Sequence, residues 1–97
     1  MKLFEFFNGA DALMVAAKER DHAIAYMAEL DGITQPEVTD NYDVREVPRE
    51  EWAQIKVHDP EQIDTDGNYV VIGIVEDMMQ GITTTELICS KSEAKRS

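Results

Sequence analysis

The chain has 97 residues, 43% of them hydrophobic, with 20 acidic side chains against 9 basic ones and a formal net charge of −11. That length supports one domain with one modest core. The single cysteine, Cys89, excludes an intramolecular disulfide framework, no run approaches the roughly twenty apolar residues of a membrane helix, and the acidic balance has the wrong sign for gripping phosphates directly.

Lys2 to Phe7 is aromatic and aliphatic and reads as a first strand, not as a signal peptide. Asn8-Gly9 is a strong hairpin signal, so Ala10 to Ala17 returns as the second strand. Phe4 and Phe6 share one face and Leu3 and Phe7 the other, which leaves two readings: both faces covered, or one exposed patch. From Glu19 to Leu30 the apolar residues Ala23, Ile24, Met27, Ala28 and Leu30 recur at three- and four-residue steps, the period of a helix with one buried stripe. Glu19 and Asp21 favour its positive end, and Gly32 supplies a left-handed terminus. The helix is short, so its stability must come from packing on the sheet.

Thr34 to Asn41 contains Pro36 and no periodicity, and is expected to be a loop. Tyr42 to Val47 reads as a third strand with Tyr42, Val44 and Glu46 on one side and Arg45 and Val47 on the other, ended by Pro48. Pro48 to Trp52 suits one helical turn, with Trp52 folding back as a cap on the core. Ile55 and Val57 suit a short edge strand, and Asp59-Pro60 and Asp66-Gly67-Asn68 are turn sequences around an acidic loop. Tyr69 to Val75, nearly all apolar and β-branched, is the clearest strand and is expected to be central. Gly81 or its neighbours turn the chain into a last strand, Ile82 to Ser90; Met78 and Met79 also suit a helical turn. The expected fold is therefore α+β: a small antiparallel sheet of about five strands with one helix on a face, in the order β-β-α-β-β-β. Residues 1–90 form the domain and 91–97 a flexible polar tail.

No site chemistry stands out. Asp64-Thr-Asp66-Gly67-Asn68 starts like a calcium loop, but Tyr69 stands where glycine is needed and Val75 where a bidentate glutamate is needed. His22 and His58 have no partner at metal-ligand spacing. Cys89 in an apolar strand acts as a small hydrophobe, Ser90 lacks a nucleophile elbow, and Thr83 to Thr85 fit a strand by propensity alone. Glu50 with Glu51 and Glu76 with Asp77 are pairs that 20 acids in 97 residues produce without purpose. The reading is thus not an enzyme, with no cofactor and no metal.

The distribution of charge says more. From Glu29 to Asp77 there are 14 acids and only Arg45, Arg49 and Lys56 as bases, a balance of −11; the rest of the chain holds six of each sign. Carboxylates concentrated in this way can attract the basic groove of another protein, although acidic surfaces also serve solubility alone.

In size and character, with Met1-Lys-Leu-Phe-Glu-Phe-Phe7 opening into a hairpin, a helix ending Ala28-Glu-Leu-Asp-Gly32 and the acidic Asp43-Val-Arg-Glu-Val-Pro-Arg-Glu-Glu-Trp52, the chain resembles small acidic phage or prophage accessory proteins of the anti-CRISPR type. The resemblance implies a non-enzymatic inhibitor in the bacterial cytoplasm that blocks the nucleic-acid-binding or assembly surface of a defence nuclease complex. Candidate partner-binding residues, chosen for charge, are Asp40, Asp43, Glu46, Glu50, Glu51, Glu61, Asp64 and Asp66, with Trp52 as an anchor if it is not core. Two alternatives stay open: a small metal- or ligand-binding protein using the loop from Asp59 to Asn68, and a homodimer formed through edge strands or an exposed Phe4 and Phe6 face.

Overall fold

The computed structural model describes residues 1–9, 12–90 and 94–96. The fold is α+β, but its strands divide into two antiparallel sheets where the sequence reading expected one. Strands β1 (Lys2–Phe7), β2 (Ala12–Ala17), β3 (Asp43–Val47) and β6 (Glu86–Ser90) form a four-stranded sheet in the order β3-β1-β2-β6. Strands β4 (Ile55–Ile63), β5 (Tyr69–Ile74) and β7 (Ala94–Arg96) form a three-stranded sheet in the order β5-β4-β7. Helices α1 (Arg20–Asp31), α2 (Gln35–Asn41) and α3 (Val75–Gln80) and a 3-10 helix (Arg49–Gln54) are the helical elements among the described residues, so one expected helix becomes three.

The β1–β2 hairpin pairs Phe7 with Ala12 and Lys2 with Ala17, with Asn8 and Gly9 in the connection after β1. Gly9 lies in this connection at φ 92°, where side-chain-bearing residues are strained. The strand expected to begin at Ala10 starts at Ala12; Ala10 and Asp11 lie outside the described residues.

Alternation along β1 then decides everything above and below the sheet. Phe4 and Phe6 point to one face, where they meet Val15 and Ala17 of β2, Ala23, Ile24, Met27 and Ala28 of α1, and Val38 of α2. Leu3 points to the other, packing with Met14, Ala16, Val47 and Cys89 against Trp52, Ile55 and Val57, and against Val75 and Met79 of α3. The central pair of strands is thus buried on both faces, and the single core expected from length is two cores back to back. Phe4 and Phe6 are 2% and 0% exposed, which removes them as a dimer face.

Helix α1 follows the predicted stripe. Its buried residues are Ala23, Ile24, Met27 and Ala28, and Gly32 closes it at φ 69° with the Ile33 N–H donating to the Ala28 carbonyl. Leu30 departs from the stripe and is exposed, because it lies at the end of the helix beyond the sheet contacts. Tyr26 reaches across to β6, where its hydroxyl oxygen accepts from the Leu87 N–H at 3.2 Å.

The expected loop from Thr34 to Asn41 is helix α2. Thr34 Oγ1 accepts from the Glu37 N–H at 3.4 Å and Glu37 Oε1 accepts from the Thr34 N–H at 3.2 Å, a reciprocal capping box with Pro36 in the first turn. The spacing Thr-x-x-Glu carried this signal, and the proline concealed it. Pro36 is compatible with the first turn because the N–H it lacks would have no helical partner there.

The second sheet departs furthest from expectation. Ile55 and Val57 begin a nine-residue strand, not a short edge, and β4 is the central strand of its sheet. Asp59-Pro60 lies inside it and not at a turn. The pairing passes from Asp59 opposite Val70 directly to Ile63 opposite Tyr69, so residues 60–62 bulge out of the ladder and Pro60 forfeits no ladder bond. Strand β5, expected to be central, is an edge, and Met78 and Met79 belong to α3. The last strand begins at Glu86, later than expected. Of the expected tail, residues 91–93 and 97 lie outside the described residues, while Ala94–Arg96 pair with Ile55 to Val57 as β7. No helix among the described residues is long and apolar enough to cross a membrane.

Two substitutions measure these layers by urea denaturation. Phe6→Ala, which empties a fully buried site, is expected to cost about 3–5 kcal/mol, a large share of a small domain's stability. Thr34→Ala, which breaks the α2 cap, is expected to cost about 1 kcal/mol. A loss at Phe6 no greater than that at Thr34 would contradict the two-sided core.

Candidate functional site

The nine residues singled out by charge fall in two regions of the fold. Asp40 lies in the last turn of α2, Asp43 and Glu46 on the edge strand β3, and Glu50, Glu51 and Trp52 on the 3-10 helix that follows it. Glu61 lies near the end of β4, and Asp64 and Asp66 in the β4–β5 turn. They do not form one face. Alternation along β3 sets Asp43 on the side of Arg45 and Val47, and Glu46 on the side of Val44.

Trp52 is 7% exposed, and its Nε1 donates to the Val47 carbonyl at 3.1 Å. It is core, as its capping role required, and is not available as an anchor. The Arg49 guanidinium lies 4.6 Å from the centroid of its ring and also pairs with Glu76 at 2.9 Å. Glu51 is half-buried beside Arg45, with Oε2 3.6 Å from Nη1, an ionic contact longer than a hydrogen bond. Arg45 reaches back to Glu5, its partner across β1, at 3.4 Å. Two of the three bases in the acidic half are therefore occupied internally. Asp40, Asp43, Glu46, Glu50, Glu61, Asp64 and Asp66 are exposed and form no ion pair with another described residue.

The acidic loop is tied by its own hydrogen bonds. Asp64 Oδ1 accepts from the backbone N–H groups of Asp66 at 2.9 Å and Asn68 at 3.0 Å, while the Asp64 N–H donates to the Asn68 carbonyl at 2.8 Å. This is an Asx turn joining two strands, with Gly67 at φ 83°. Asp59 does the same inside the β4 bulge, accepting from the Glu61 N–H at 2.9 Å and from Gln62 Nε2 at 2.7 Å. Among the described residues, no three His, Cys, Asp or Glu side chains are grouped to hold a metal. Cys89 is buried in the second core, opposite Met14 of β2.

Charge-based selection missed an apolar feature. Among the described residues, half of the large exposed hydrophobic side chains, Ile63, Tyr69, Val71 and Ile72, belong to the β4–β5 hairpin. The near-continuous apolar run in β5 was visible, but was taken as a sign of a central strand.

The architecture defines an α+β protein of two antiparallel sheets, with helices on the outer face of the larger sheet. No protein-family model, curated protein or solved structure matches the chain.

Because Asp64 holds the turn and Asp66 does not, Asp64→Ala should destabilise the protein by about 1–2 kcal/mol while Asp66→Ala stays within about 0.5 kcal/mol. Thermal unfolding of both variants checks this, and equal losses would show that the turn draws nothing from the Asp64 carboxylate.

Proposed function

We propose that this protein acts without catalysis, by presenting its carboxylates to the basic surface of another protein, and that it inhibits a nucleic-acid-handling bacterial defence complex in this way. The observation that carries the reading is the unneutralised charge: seven exposed carboxylates between Asp40 and Asp66 lack an ion-pair partner among the described residues. In the same half of the chain, Arg45 and Arg49 are held by Glu5, Glu51 and Glu76. Fixed carboxylates on an ordered scaffold attract a groove built for phosphates, speed its encounter and compete with nucleic acid for the same lysines and arginines. The class of target rests on the resemblance to anti-CRISPR-type proteins. The site of action is then the bacterial cytoplasm, where such complexes work.

The acids on and beside β3 are the part most suited to a test, since Asp40, Asp43, Glu46 and Glu50 are exposed and contribute nothing to the packed layers. Reversing all four to lysine should leave the circular dichroism spectrum unchanged. Capture of a nuclease complex from bacterial lysate, and inhibition of its cleavage, should each fall about tenfold or more, and capture by the native chain should weaken as salt rises. Equal capture and inhibition by the folded variant would overturn the electrostatic reading.

A further inference from the structure

The second sheet gives only one of its faces to the core. Ile55 and Val57 of β4 are buried there with Val75 and Met79 of α3, so alternation sends Lys56 and His58 outward. On β5, Gly73 pairs with Val57 and faces inward, where a Cβ would lie 3.4 Å from the Met78 sulfur of α3. Ile74 pairs with Lys56, Val71 with His58 and Tyr69 with Ile63, and these three rungs make up the outer face. Tyr69, Val71 and Ile63 are 43%, 48% and 64% exposed, and Ile72, the extra residue of the bulge beside them, is 58% exposed. Large apolar side chains gathered on an uncovered sheet face mark a contact surface.

The two ends of this face carry opposite charge. Lys56 stands at the base of the hairpin, and its ladder partner on β7 is another base, Lys95. Lys56 is exposed and, unlike Arg45 and Arg49, forms no ion pair with another described residue. Asp64 and Asp66 stand in the turn at the other end, just beyond Ile63. The acids that follow β5 do not alter this polarity, because α3 packs on the inner side through Val75 and Met79 and Glu76 is held by Arg49 at 2.9 Å. The Lys56 rung and the Ile63 rung are the first and last of five, roughly 13 Å apart and too far for a direct pair within one chain.

We propose that this face joins two copies of the chain as an antiparallel two-fold dimer. The rung of His58 and Val71 is the middle of the five, and a two-fold axis crossing the strands there lays β4 on β4 and β5 on β5 in opposite directions. Val71 then meets its own counterpart, Tyr69 meets Ile74, and Lys56 of each copy comes over Ile63 and the acidic turn of the other. The apolar row is buried, and unlike charges meet at both of its ends. An axis along the strands would set Lys56 against Lys56 and acidic turn against acidic turn, so charge selects the antiparallel arrangement. Sheets packed face to face keep their strand directions within about 30°, which holds each end over its opposite. The contact does not depend on the protein-binding reading above, since the acids of β3 belong to the other sheet.

Sedimentation equilibrium of the full chain tests this, in about 0.15 M salt, where a Debye length of about 8 Å screens charge remote from the contact. The native protein should reach twice the 11.0 kDa of one chain, with dissociation in the micromolar range. Lys56→Glu and Asp66→Lys should each weaken dimerisation about tenfold or more, and the double variant, which re-forms the pairs with their signs exchanged, should recover it. Asp66 is chosen because the carboxylate that holds the turn is that of Asp64. Asp66→Lys also lowers the net negative charge, so association governed by net charge alone would tighten. Tightening overturns the proposal, as does a double variant no stronger than the single ones. Val71→Lys, which places a lysine on the axis, should give a monomer with an unchanged circular dichroism spectrum; a folded Val71→Lys dimer would overturn this interface. A native chain that stays at 11.0 kDa up to millimolar concentration overturns the dimer and leaves the face to a different protein.

Discussion

The constraint on which the structure depends is that β1 and β2 are buried on both faces. A strand alternates its side chains, so each buried residue of β1 is committed to one of two cores: Phe4 and Phe6 to the helical side, Leu3 to the side of the second sheet. Full burial of side chains of this size contributes about 1.5–3 kcal/mol each, and a slip of one residue in the hairpin would exchange the two sets. The helices and the second sheet are the covers these two faces require. Both cover elements are too small to be stable alone, which is why α1 ends where the sheet contacts end and Leu30 is left in solvent.

Polar interactions refine this arrangement more than they hold it. Trp52 is fixed by one hydrogen bond to Val47 and by Arg49 over its ring, and it closes the second core at the edge of β3. Arg45 links β3 to β1 and to the 3-10 helix through exposed or half-exposed partners, which in water contribute about 1 kcal/mol or less. Their larger consequence is electrostatic. By occupying Arg45 and Arg49, two of the three bases of the acidic half, these contacts leave the exposed charge there mostly negative.

The two sheets also differ in how they end. The larger one meets solvent with charged edge strands, whereas the smaller one presents an apolar strand that follows an acidic turn. Exposed apolar edges favour aggregation, and a net charge of −11 opposes it by keeping copies apart wherever like charges would meet. The same charge that supports recognition of a basic partner thus makes such an edge tolerable.

By itself the sequence determined the α+β class, the opening hairpin, the position and glycine terminus of α1, the parity of β3 and the helical turn after Pro48, while leaving Trp52 open between core and anchor. Each of these rests on interactions within a few residues, where alternation, helical period and turn chemistry act directly. Helix α2 was equally local, in the spacing of Thr34 and Glu37, and Pro36 hid it. What only the tertiary structure decided was the partition into two sheets, the central place of β4, the edge position of β5 and the scattering of the acids over two regions. A strand's local pattern reports that its side chains are apolar, and not which strand lies beside it. Tyr69 to Ile74 therefore reads the same at a centre as at an edge. Charge along the chain likewise gives no distance in space, so Asp43 and Glu46, three residues apart, end on opposite faces while Glu5 and Arg45, forty apart, meet.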